Sequence, residues 1–154
     1  MKLWILRHAR AEGHSPTGRD RDRALSSRGI MACGYLNQWL QNSGLILPAI
    51  ALVSPARRTR QTADQVFEDL PVRIELDEQL WLATTADLLR LIEPARKTST
   101  DLMLVGHNPG LEDLIARLGA ALPVPGLKPG TLVVLDLGAS GPGRIDQLVA
   151  PRES

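Results

Sequence analysis

Short, unbroken aliphatic runs set the tightest limit on how this chain can fold. Leu102-Met103-Leu104-Val105 contains no polar residue, and neither do Leu3-Trp4-Ile5-Leu6 and Ala49-Ile50-Ala51-Leu52-Val53. A strand with one wet face alternates apolar and polar residues, so unbroken runs suit strands covered on both faces. Each run is followed by residues at helical spacing. Residues 2–6 read as a strand, and Ser26 or Ser27 as the cap of a helix carrying Ala32, Leu36, Trp39 and Leu40, closed by Gly44. Residues 49–53 read as a second strand. Ser54-Pro55 then reads as an N-cap and first helical residue, with Thr62, Ala63, Val66, Phe67 and Leu70 continuing the period. Residues 72–76 give a third strand, and Leu88, Leu89 and Ile92 a helix ending near Pro94. Residues 101–105 give a fourth strand. Asn108-Pro109 opens a helix carrying Leu111, Leu114, Ile115 and Leu118. Thr131 to Leu137 and Arg144 to Ala150 read as a late hairpin at the sheet edge. The expected fold is α/β: a three-layer sandwich with a mostly parallel central sheet and helices on both faces.

At 154 residues the chain is expected to form a single domain over 1–154, with Pro123-Val124-Pro125-Gly126 as an internal loop. Lys and Arg number 18 and Asp and Glu 17, so no global basic field points to nucleic acid. The apolar start is too short for a signal peptide or a membrane span, which leads to the expectation of a cytoplasmic protein. Cys33, the single cysteine, falls in a helical pattern and reads as a buried spectator thiol. The arginines are unevenly spread. Arg7, Arg10, Arg19, Arg21, Arg23 and Arg28 crowd the first thirty residues, and Arg57, Arg58 and Arg60 follow the second strand. Local positive potential on a nearly neutral chain suits a small anionic ligand.

Three strand ends carry the chemistry. His8 follows the first strand, Arg58 lies just beyond the second, and His107 follows the fourth. In α/β sheets, sites gather at the carboxyl ends of the strands. A neutral imidazole can attack phosphorus and hold the phosphoryl group covalently until water arrives. The charge spread over the equatorial oxygens calls for fixed cationic donors, for which Arg7 and Arg58 stand ready. Guanidinium charges also disfavour the protonated imidazole and keep the attacking ring neutral. Helix N-termini at Ser54-Pro55 and Asn108-Pro109 would add backbone N–H groups.

These motifs resemble the histidine phosphatase superfamily, and within it the SixA-type phosphohistidine phosphatases, over nearly the whole chain. Arg7-His8-Ala9 is similar to the superfamily's Arg-His-Gly signature. Ser54-Pro55 through Arg58 to Gln61-Thr62-Ala63 is similar to its second block, and Gly106-His107-Asn108-Pro109-Gly110-Leu111-Glu112 to its third. Arg23-Ala24-Leu25-Ser26 through Gly29 resembles a stretch of the SixA branch. The resemblance implies that His8 is the nucleophile, that Arg7, Arg58 and His107 bind phosphate and stabilise the transition state, and that Arg23 is a further phosphate or substrate contact. If the register slipped by one residue, Arg57 would replace Arg58, but the Gln61-Thr62-Ala63 anchor favours Arg58.

The chain departs from the superfamily pattern in two places. Ala9 stands where many members have Gly, which SixA-type members tolerate. Many members also carry an acidic general acid between the second and third blocks, and Glu78 falls at about that place. Imidazole gains a proton with a pKa of about 6.5, so a phosphohistidine substrate can take its proton from solvent, unlike an alcohol leaving group. Glu78 is thus a candidate acid or a surface carboxylate. Trp81 reads as packing or as a rim of the pocket. The arginines argue against a bound metal, and no cofactor is expected. The resemblance implies a partner protein of the histidine phosphotransfer type as substrate. A small phosphorylated metabolite, or phosphate binding without turnover, are the alternatives, and the oligomeric state is left open.

Overall fold

The computed structural model describes residues 1–123 and 126–153. Six strands form one sheet in the order β3-β2-β4-β1-β5-β6. They are β1 Lys2–Arg7, β2 Ile50–Val53, β3 Arg73–Leu76, β4 Leu102–Gly106, β5 Leu132–Asp136 and β6 Arg144–Val149. β1, β2, β3 and β4 run parallel. β5 pairs antiparallel with β1, and β6 antiparallel with β5, so the last two strands make the expected edge hairpin. The helices are α1 Ser27–Asn42, α2 Arg57–Val66, α3 Thr85–Thr98 and α4 Gly110–Arg117.

The unbroken runs explain the layers. Alternate residues of β1 point to opposite faces, and both faces are covered. Trp4 and Leu6 join a cluster with Cys33, Leu36 and Leu40 of α1 and Ala63 and Val66 of α2. Leu3 and Ile5 join a second cluster with Leu88 and Ile92 of α3 and Leu111, Leu114 and Ile115 of α4. Cys33 is buried and free, and burial pushes its thiol up to about 12, which suits a spectator. Val124 and Pro125, part of the expected internal loop, lie outside the described residues.

Three helix boundaries differ from the sequence reading, one being that α2 stops at Val66, short of Leu70. Ser54 does not cap α2, which begins at Arg57 with Ala56 as its N-cap and no side-chain capping bond. The Ser54 hydroxyl is engaged elsewhere, as described below. Pro94 does not end α3, which continues to Thr98. Pro94 is exposed, and Ala95 beyond it packs on the second core cluster. That packing and the Thr98 hydroxyl, which donates to the Pro94 and Ala95 carbonyls, hold the last turn despite the missing N–H.

The segment from His8 to α1 is tied down at both ends. Ala11 bridges to Leu25, and the Ser26 N–H and hydroxyl both donate to the Arg10 carbonyl. A Cβ on Gly29 would lie 2.1 Å from that carbonyl oxygen, so only glycine lets the start of α1 approach it. Within the segment, Asp20–Asp22 forms one turn of 3-10 helix.

Candidate functional site

The carboxyl ends of β1, β4 and β2 lie side by side, and each delivers one residue to a common cavity wall or to its support. The His8 N–H donates to the Gly106 carbonyl, and the Ser54 N–H to the Val105 carbonyl, so the chain leaves all three strands in register. The cavity there measures about 830 Å³, and Arg7, His8, Arg23, Arg58 and His107 all line it. Glu78 is not among its lining residues.

His8 is buried, and its Nδ1 lies 2.8 Å from the Ala9 carbonyl oxygen. A carbonyl can only accept, so Nδ1 carries the proton and the lone pair sits on Nε2. The Ala9 N–H in turn donates to Thr62 Oγ1 of α2, at 3.0 Å. The ring of His107 lies 5.3 Å from that of His8, tilted by 56°. Its Nε2 is 2.8 Å from Ser54 Oγ, and its buried Nδ1 has no partner.

Both imidazoles are held neutral. Burial, and after it the charges of Arg58, Arg7 and Arg23, lower His8 to about 4, although the bond to Ala9 works the other way. Burial, then His8 and Arg58, lower His107 to about 3. The neutral ring expected from the sequence is therefore owed first to desolvation and only second to the guanidinium charges.

Arg58 is buried, and Asp20 takes the outer end of its fork. Nη1 donates to the Asp20 carbonyl at 2.8 Å, and Nη2 to its Oδ2 at 3.0 Å. The other Asp20 oxygen accepts from Arg23 Nε at 2.9 Å, while Arg23 Nη1 donates to the Glu12 carbonyl at 2.8 Å. Burial opposes ionisation of Asp20, but the bonds and charges of Arg58 and Arg23 outweigh it and lower its pKa. Asp20 thus joins two guanidinium groups and leaves the Nε edge of Arg58 open. Arg7 is held from a third direction. Its Nη1 donates to the Leu127 carbonyl at 2.7 Å, and the Leu127 N–H donates to Glu112 Oε1 at 2.6 Å. Glu112 therefore fixes the loop that orients Arg7.

Among the described residues, four buried side-chain nitrogens lack a hydrogen-bond partner, and three of them belong to residues that line this cavity: Arg7 Nε, Arg58 Nε and His107 Nδ1. Buried polar groups are almost always satisfied, so the two unpaired guanidinium N–H donors of Arg7 and Arg58, beside the unpaired His107 nitrogen, mark a place for an acceptor. A tetrahedral oxyanion supplies several. No group of acidic, histidine or cysteine side chains able to hold a metal ion occurs among the described residues. No helix among them is long and apolar enough to cross a membrane.

Other expectations resolve as follows. Arg58 lines the cavity, whereas Arg57 is half-buried, Arg60 is exposed, and neither lines it. The helix N-termini lie two residues beyond Ser54-Pro55 and one beyond Asn108-Pro109. Glu78 is exposed and receives both Arg21 Nη groups, at 3.2 and 2.6 Å. The bond from Arg21 lowers its pKa, which favours the ionised carboxylate over a proton donor. Trp81 lines the cavity, edge-on to His107 at 5.3 Å and flanked by Arg58 and Arg21, each 5.6 Å from the ring. Sequence reasoning gives Asp20 and the Ser54 hydroxyl no place in the site, although it expects backbone N–H groups at Ser54-Pro55. Ser54 looked like a helix cap, and Asp20 was one charge among many in a polar loop.

Comparisons with known proteins point to one family and one fold. The sequence profile of the histidine phosphatase superfamily (branch 1) matches residues 3–81. An uncharacterized protein from Picosynechococcus sp. is 34% identical over 123 residues, covering 72% of this chain and 68% of the relative. The SixA structure from Agrobacterium tumefaciens is 28% identical and superposes with a TM-score of 0.83, over 97% of this chain and 98% of that one. A tungstate complex of SixA superposes with a TM-score of 0.83 at 21% identity, over 97% of each chain.

Proposed function

The chain belongs to the histidine phosphatase superfamily and is a phosphatase, and from that premise we propose that it hydrolyses phosphohistidine on a partner protein through a covalent intermediate on His8. The observation that carries the reading is the fixed tautomer of His8. With Nδ1 bound to the Ala9 carbonyl, the Nε2 lone pair belongs to a neutral ring beside unpaired cationic donors.

The reaction runs in two displacements. Nε2 of His8 bonds to phosphorus as the P–N bond to the substrate imidazole breaks, and that imidazole leaves with a proton from solvent. Water then attacks phosphorus, the P–Nε2 bond breaks, the water loses its proton to solvent, and inorganic phosphate departs. Arg7, Arg23, Arg58 and His107 hold the equatorial oxygens throughout. Their positions are set before substrate arrives, so little reorganisation is needed at the transition state.

The preference for phosphohistidine rests on the leaving group. An alcohol needs a strong acid beside it, and imidazole does not. Asp20, which lines the cavity as Asp113 does, is held ionised by Arg58 and Arg23, and Glu78, outside the cavity, is held ionised by Arg21. The Agrobacterium protein, which shares 28% identity, carries the name phosphohistidine phosphatase. The test is a panel of phosphohistidine proteins, sugar phosphates and aryl phosphates assayed with EDTA present. Turnover of the phosphohistidine proteins, undiminished by EDTA and well above that of sugar phosphates, supports the proposal. A preference for sugar phosphates overturns it, as does loss of activity on chelation.

A further inference from the structure

Leu82 stands apart from every other apolar side chain at the cavity. It is 77% exposed, and among the described residues it is the one exposed large hydrophobic that lines the cavity. It is also held at φ +55°, while among the described residues the other non-glycine ones with positive φ are Asp69 and Ser99. Asp tolerates the left-handed region comparatively well, and a branched apolar side chain does not.

The backbone turn itself has a structural cause. Just before it, Trp81 packs beside His107, and just after it the Thr84 side chain caps α3. A Cβ on Gly110, at the start of α4, would lie 2.8 Å from the Ala83 carbonyl oxygen, so the chain here is pressed against the segment that carries His107. The chain passes from Trp81 to the α3 cap with Leu82 at positive φ. Glycine or asparagine would supply it with less strain. The turn therefore explains the backbone and leaves the leucine unexplained, since an exposed leucine adds little to the stability of the fold.

Position suggests what the leucine does. The cavity has a cationic wall of Arg7, Arg23 and Arg58 and an apolar wall that includes Leu80, Ala83 and Pro109, with Leu82 at its exposed end. A phosphoryl group fills the first wall alone. The volume beyond it accommodates the ring that carries the phosphoryl group and the apolar surface from which that ring projects. We propose that Leu82 is the contact by which the site selects phosphohistidine presented on a folded protein, packing against apolar side chains beside the modified histidine. The inference rests on the function proposed above and adds a specificity residue to it.

The test compares wild type with Leu82→Asn and Leu82→Met on two substrates: a phosphotransfer domain phosphorylated on its histidine, and free phosphohistidine. Asn relaxes the backbone, so its Tm should equal or exceed that of wild type. Its kcat/KM on the phosphoprotein should fall roughly tenfold, mainly through KM, as expected for a lost apolar anchor. Its kcat/KM on free phosphohistidine should stay within about twofold, and Met should retain most activity on both. If Asn leaves phosphoprotein turnover intact, or lowers both substrates equally, this inference is overturned alone. If wild type does not turn over the phosphoprotein while hydrolysing other phosphate compounds, the proposed substrate falls, and this inference with it.

Discussion

His8 and His107 leave adjacent parallel strands, one residue beyond the register pair Arg7 and Gly106, yet they are oriented by different means. The Nδ1 of His8 is bound to the carbonyl of the next residue, a contact the chain makes wherever that local conformation forms. The Nε2 of His107 is bound to Ser54 Oγ, 53 residues away on a different strand end. Each arrangement fixes one ring nitrogen and frees the other. For His8 the freed nitrogen is Nε2, which carries the lone pair. For His107 the freed nitrogen is the unpaired Nδ1. A local clamp keeps the proposed nucleophile in its tautomer, and a long-range clamp aims its partner. The first survives any change that spares the backbone, and the second depends on the register between β2 and β4.

This contrast can be broken in order of severity. His8→Ala removes the attacking atom, and kcat should fall by at least about 10⁴-fold with the fold intact. Tungstate binding, measured by calorimetry, should persist because the cationic wall remains. Retained turnover in His8→Ala would place the covalent step on another residue. Asp20→Ala removes the carboxylate that accepts from Arg58 Nη2 and Arg23 Nε, leaving Arg58 Nη1 on the backbone carbonyl of residue 20 and Arg23 Nη1 on the Glu12 carbonyl. A loss of kcat/KM of roughly 10²-fold is expected from misplaced donors, with weaker tungstate affinity and little change in Tm. Tighter oxyanion binding would instead show that Asp20 competes for the arginines.

Ser54→Ala probes the long-range clamp alone. One neutral hydrogen bond is lost, so kcat/KM should drop by about tenfold or less, and Ser54→Thr should restore part of it if the hydroxyl is the cause. The smallest expected effect lies in pH. Since His8 is lowered to about 4 and His107 to about 3, kcat/KM should stay level down to about pH 5 and decline below it. The same groups bear on stability. Between the ordinary value of 6.5 and about 4, the unfolded chain binds protons that the folded chain excludes, so stability should fall as pH drops through that window. An acid limb near pH 6.5 in kcat/KM would indicate a solvent-exposed nucleophile.

The parts of the molecule that were legible beforehand share one property: the information lies within a few residues. The runs at Leu3 to Leu6 and Leu102 to Val105 announce buried parallel strands because both faces of each are covered. His8 and His107 are legible as strand-end residues for the same reason. The Ser26 cap was legible too, since its hydroxyl accepts from Gly29 N–H three residues on. Where a side chain had two possible partners, the local one was a poor guide. Ser54-Pro55 fits the pattern of a helix start, but the Ser54 hydroxyl bonds to His107 instead, and α2 begins at Arg57. Pro94 fits the pattern of a helix end, but the packing of Ala95 carries α3 past it.

The amino-acid order alone therefore determined an α/β sheet with imidazole and guanidinium groups at its carboxyl edge, because hydrophobic periodicity and strand-end position are short-range properties. Tertiary structure alone decided that Asp20 reaches back to Arg58, that Ser54 turns to His107, and that Leu82 is held exposed at the mouth of the cavity. The Ser54 contact follows from β4 lying beside β2, an arrangement set by the packing of both core layers at once rather than by any neighbouring residue.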